Sequence, residues 1–129
     1  FLSKSLSLFR HARVQCTELF SLAKKEELQR FVLMGISDVA EIALLCAMES
    51  NVTVVGVVDS SADGGAFMGF PVYARLQDVP VPFDAIMVTD VRRPQQTWQS
   101  VRSEFYPRKV LVPAFLGVNK QINLAKAPS

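Results

Sequence analysis

The chain has 129 residues, half of them apolar and a fifth charged, with 14 basic against 12 acidic side chains. That is an ordinary globular composition, long enough to bury a core without staples. A net charge of +2 is too small to argue for nucleic acid without excluding it, and the apolar runs stop well short of the roughly 20 residues that cross a bilayer.

From Phe1 to about Arg30 there is no Gly or Pro. Leu2, Leu6, Phe9, Cys16, Phe20 and Ala23 keep a 3–4 spacing that Arg13 interrupts. This predicts one long amphipathic helix, or two with a break near Cys16–Thr17. Two roles remain open for it: packing on its own domain, or acting as a dimerising or domain-linking arm over residues 1–30. Because the chain opens on Phe1 inside a helical pattern, it reads as a piece of a longer protein. Cys16 and Cys46 show no metal spacing and no C-x-x-C. Buried thiols in a reducing cytoplasm are the expectation, and a disulfide is the lesser alternative.

The stretch Arg30–Asp59 carries the most information. Phe31–Met34 is an apolar run that meets Gly35, and a helical pattern from about Val39 to Glu49 follows. The β-branched run Val52–Val58 then closes on Asp59. Strand, tight turn, helix, strand and acid make the opening βαβ unit of a Rossmann-type domain. Where the fingerprint has G-x-G-x-x-G, this chain has Gly35-Ile36-Ser37-Asp38-Val39-Ala40, keeping only the first glycine. Gly35 can make the turn and Ala40 can replace the packing glycine. Ser37 puts a hydroxyl where phosphate approaches closest, either to bind an anion or to cap the helix. Asp38 opposes phosphate, because a carboxylate in the first helical turn already meets the positive helix end. Asp59 stands roughly 20 residues past the turn, where an acid holds ribose hydroxyls, or is a surface acid at a strand end. With a dinucleotide bound it would favour NAD over NADP.

Ser60–Gly65 reads as a loop, Gly69–Tyr73 as a short extended element and Leu76–Asp78 as a helical turn. Phe83–Asp90 is the next buried strand, Pro94–Phe105 a helix with proline in its first turn, and Lys109–Val112 a last strand. Residues 31–118 form the domain, and residues 119–129 a loose tail or short helix. The alternation predicts an α/β fold, a Rossmann-like doubly wound parallel sheet of four or five strands. Thr89, Arg92 and Arg93 follow the strand that ends near Asp90. Loops at the carboxyl ends of strands line the ligand crevice of such sheets, and two arginines there either hold an anion or stay solvated near Asp90. Trp98 and Phe105 are expected to face the sheet, and Tyr73 either packs in the core or stacks on a base. His11 is expected on a helix surface. No H-E-x-x-H, P-loop, G-x-S-x-G or catalytic carboxylate pair appears, so no active site works alone here.

At GISDVAEIALLCA, VVGVVD and GFPVY the chain resembles two groups. One is the Rossmann-like domain that opens sugar O- and N-acyltransferases and some nucleotide-sugar enzymes; Gly35, Asp59 and Gly69-Phe70-Pro71-Val72 match, while Ser37 departs. The other is the effector domain of bacterial transcription regulators in which a winged helix precedes a Rossmann domain, as in the Rex repressors. FLSKSLSLFRHARVQC is similar to the linker helix after a MarR-type winged helix. The second resemblance implies a cytoplasmic homodimer that senses a nucleotide-like effector or none, with the cofactor left open and NAD(H) one candidate, and that touches DNA only through a domain outside this chain. The first implies the nucleotide- or sugar-nucleotide-binding half of an enzyme. A third expectation is a scaffold that has lost its ligand and serves assembly.

Overall fold

The computed structural model describes residues 2–61, 64–105 and 109–120, and of residues 2–6 and 8 the backbone alone. The expected tail beyond residue 120, and the contributions of Leu2 and Leu6 to the helical seam, lie outside what is described. Helix α1 runs without a break over Leu2–Lys25. Strand β1 (Arg30–Met34), helix α2 (Asp38–Glu49) and strand β2 (Thr53–Val58) follow as the βαβ unit. The short strands β3 (Ala66–Phe67) and β4 (Phe70–Tyr73) precede a 3₁₀ turn at Leu76–Asp78. The chain then forms β5 (Ala85–Val88), α3 (Pro94–Phe105) and β6 (Lys109–Leu111), with a second 3₁₀ turn at Ala114–Leu116.

The protein is α/β. Its sheet has six strands in the order β3-β4-β2-β1-β5-β6, parallel at every pairing except the antiparallel β3–β4. The count exceeds the expected four or five because Ala66–Tyr73 folds as a hairpin rather than one extended element. Met68 and Gly69 both take positive φ (52° and 84°) between paired Phe67 and Phe70. A two-residue turn with φ positive at both positions matches the twist of its strands.

Side-chain alternation divides the strands between two layers. Phe31, Leu33, Ala85 and Met87 point into a core shared with α1 and α2. Val32 and Ile86 point the other way, to Val101 of α3. Helices therefore cover both faces of the central strands, which explains their near-continuous apolar runs. Ala12, Cys16, Phe20 and Ala23 place one stripe of α1 in this core, with Phe20 edge-on to Phe31 at 5.2 Å. That leaves the arm reading to the turns before Ala12. Cys16 and Cys46 are both buried free thiols. Trp98 is buried, Phe105 half-buried and His11 exposed. Among the described residues no helix is long and apolar enough to cross a membrane.

Chain direction reverses its sideways progress at β1. The first unit steps from β1 to β2, and β5 and β6 lie on the other side of β1. The carboxyl ends of β1 and β5 thus flank the topological switch point, where open α/β sheets form a crevice.

Candidate functional site

Three chain segments meet at this crevice: the turn after β1, the end of β2, and the loop between β5 and α3. Gly35 is held at φ 116°, and a Cβ there would lie 2.7 Å from the Asp90 Cα and 2.8 Å from its nitrogen. Only glycine lets the first turn come this close to the end of β5. The Gly35 N–H donates to Val58 O at 2.8 Å, and the Thr89 hydroxyl donates to Gly35 O at 2.6 Å. Thr89 is fully buried, so its hydroxyl ties strands together instead of facing the crevice.

Ser37 is the N-cap of α2. Its Oγ accepts from the Val39 and Ala40 N–H groups at 3.1 and 3.2 Å and donates to Thr89 O at 2.6 Å. Of the two roles open to Ser37, the structure thus uses its hydroxyl for capping. Ala40 has no exposed surface and lies in the core, as a residue replacing the packing glycine should. Asp38 is exposed in the first turn of the helix.

Asp59 closes the turn from the other side. Its Oδ2 accepts from the Ile36 N–H at 2.8 Å, and its Oδ1 accepts from the Ser61 N–H and hydroxyl at 3.0 and 2.6 Å. Burial works against the carboxylate's charge. The hydrogen bonds from Ser61 and Ile36, with nearby Arg92, outweigh it and hold Asp59 below the usual carboxylate range. Asp90 does the same for the α3 loop: Oδ1 accepts from the Arg92 and Arg93 N–H groups at 2.8 and 3.2 Å, and Oδ2 from the Thr97 hydroxyl at 2.7 Å. Burial again opposes ionisation. The bonds from Thr97, Arg92 and Arg93 prevail over burial and over repulsion by Asp59, so Asp90 is also held low.

Around these residues lies a cleft of about 620 Å³, within the size range of small-molecule sites. Gly35, Asp59, Arg92 and Arg93 line it, as the sequence pattern anticipated. Ser37, Ala40 and Thr89 support its floor without lining it. The far wall was not anticipated. Arg75 and Gln77 come from the turn after β4, and Gln96, Ser100 and Glu104 from one face of α3, where their spacing of four stacks them. The spacing of the polar residues in α3 was the available signal; nothing in the sequence tied Arg75 to the same space. Gln77 and Glu104 close one end through a 2.6 Å hydrogen bond. Tyr73 does not stack in the cleft: its ring lies over β2 at Gly56, where a Cβ would come within 2.7 Å of it. Among the described residues no group of three or more His, Cys, Asp or Glu could hold a metal ion.

The arrangement presents fixed ionised acceptors on the β side and guanidinium groups on the loops. It suits recognition of a small polar anion. No protein-family model matches this chain, and neither a curated protein nor a solved structure matches it.

Proposed function

We propose that the chain is the effector-binding and dimerising module of a DNA-binding transcription regulator, a Rossmann-like domain with a degenerate nucleotide turn. The observation that carries this reading is the cleft at the switch point. Gly35, Asp59, Arg92 and Arg93, far apart in sequence, meet there beside a turn too tight for any residue but glycine. A small nucleotide-like anion occupies the cleft, bridging the first turn and the α3 loop. The turns of α1 before Ala12 pair with a second copy and lead toward the DNA-binding domain, which lies outside this chain. The module works in the cytoplasm.

One observation favours a second reading, the nucleotide-sugar half of an acyltransferase-type enzyme. The Gly69–Val72 element spans the hairpin turn and most of β4, which leads directly into the cleft-lining Ala74 and Arg75.

Thermal-shift measurements with NAD, NADH, NADP, ATP, UDP-sugars and simple phosphates test the module's binding role. A ligand at a hundred times its dissociation constant adds about 2.7 kcal/mol, several degrees for a domain of this size. Silence across the panel rejects effector binding and favours the assembly scaffold. Selection of duplexes from a random DNA pool by the natural polypeptide containing this chain tests the regulatory role. Recovery of a two-fold symmetric site supports it, and the lack of any enriched site rejects it.

A further inference from the structure

Four backbone donors of the first turn, where a dinucleotide's pyrophosphate would sit, are already taken. In the first turn the Gly35 N–H bonds Val58 O, the Ile36 N–H bonds the Asp59 carboxylate, and the Val39 and Ala40 N–H groups bond Ser37 Oγ. A phosphate placed there would break these bonds and face the ionised Asp59, with Asp38 adding a second negative charge in the same turn. The positive charge of the cleft lies elsewhere, on Arg75, Arg92 and Arg93. Among the described residues the Arg92 and Arg93 guanidinium groups make no hydrogen bond or ion pair, although Arg92 feels the charge of Asp59. Arg75 reaches only Asp78, at 3.5 Å and mostly exposed.

The acids are nearly, but not completely, satisfied. A carboxylate has about four acceptor sites. Asp59 accepts two bonds at Oδ1 and one at Oδ2, and Asp90 accepts two at Oδ1 and one at Oδ2. Each keeps roughly one acceptor site, on its Oδ2. Fixed anionic oxygens with a spare lone pair call for neutral donors such as hydroxyl groups. Ser100 and Gln96 add polar groups on the α3 wall.

Resting on the reading of this cleft as an effector site, we infer that its ligand is a phosphate monoester of a polyol: a sugar phosphate or a nucleoside monophosphate. The phosphate sits on Arg92 and Arg93, with Arg75 in reach, and the hydroxyls donate to Asp59 and Asp90. The two strand-end acids therefore act as hydroxyl readers, and the arginines of the α3 loop as the anion seat. Compared with the usual pose, the strand-end acid keeps its hydroxyls, and the phosphate moves from the first turn to the α3 loop.

The experiment is a binding series on this chain with ribose 5-phosphate, glucose 6-phosphate, AMP, n-butyl phosphate, inorganic phosphate and NAD. It is run on the unaltered protein and on Arg92→Ala/Arg93→Ala. Those two side chains are exposed, so the double variant should melt as the parent does. Expected is a melting-temperature rise with at least one of the three hydroxylated monophosphates, and at least about tenfold weaker binding of n-butyl phosphate and inorganic phosphate. The rise should vanish in the double variant. Equal binding of n-butyl phosphate overturns the hydroxyl-reading role of the acids. NAD binding that survives in the double variant overturns the seating of phosphate on the α3 loop while leaving the effector site standing. Silence with every probe overturns the inference and the effector reading together.

Discussion

At the scale of single residues, the site depends on Gly35 more than on any charged group. Gly35→Ala would force a strained φ and press a methyl group on the Asp90 backbone. The expected cost is roughly 2–3 kcal/mol, read as a lower urea midpoint. Neighbour displacement should also cost cleft binding. The two aspartates act through pH. Both are held below the usual value of about 3.9. Their stabilisation is complete above that value and is lost as pH falls through the lowered folded values. Urea midpoints followed from neutral into acid solution should drop in that window, and Asp59→Asn with Asp90→Asn should flatten the drop. The position of Gly35 and Asp59 at the crevice was legible because a βαβ unit puts a turn glycine and a strand-end acid at fixed places. The occupation of Asp59 by the Ile36 N–H was not, since it depends on the turn's closure against β5 and not on spacing.

At the scale of elements, α2 is fixed by its cap and α1 by its buried stripe. Ser37→Ala removes the cap of α2 and also a bond to the Thr89 carbonyl. A loss of about 1–2 kcal/mol is expected in chemical denaturation, at the upper end of N-cap effects. Helix α1 holds its place through Phe20, which has no exposed surface. Phe20→Ala should cost about 3–5 kcal/mol, a loss that a free-standing arm would not show. Burial pushes the neighbouring Cys16 thiol up to about 12, with Cys46 adding to the shift, so it is unreactive while the fold is intact. The helical stripe of α1 was legible in its 3–4 spacing, but whether it broke near Cys16–Thr17 was not, nor was its partner, because a stripe tells which side is buried and not against what. The β3–β4 hairpin escaped prediction for a local reason: Met68-Gly69 carries its turn in place of the usual Asn-Gly.

At the scale of the whole molecule, alternation of strands and helices foretold a mostly parallel α/β sheet and the edge on which its crevice opens. It could not foretell the far wall, since Arg75 and the face of α3 reach the cleft only through tertiary packing. Exposed apolar side chains on α1 and α2 bear on assembly. Phe9, Val14 and Leu22 of α1, and Leu45 and Met48 of α2, are large apolar side chains left exposed, from 36% to 57%. Light scattering on the chain and on a form lacking residues 1–11 should show a dimer for the first and a folded monomer for the second. A dimer that persists in the shortened form would move the interface away from the arm.

The sheet ends at both sides in very short strands, two residues in β3 and three in β6. Pro71 lies in β4 beside one edge, and Lys109 begins the other. A neighbour seeking to extend the ladder finds almost no template, and a charge at one border. Fibre growth from the native state is thereby discouraged at its first step. Misassembly of this protein should instead begin with the apolar outer faces of the helices, giving amorphous clumps rather than ordered filaments.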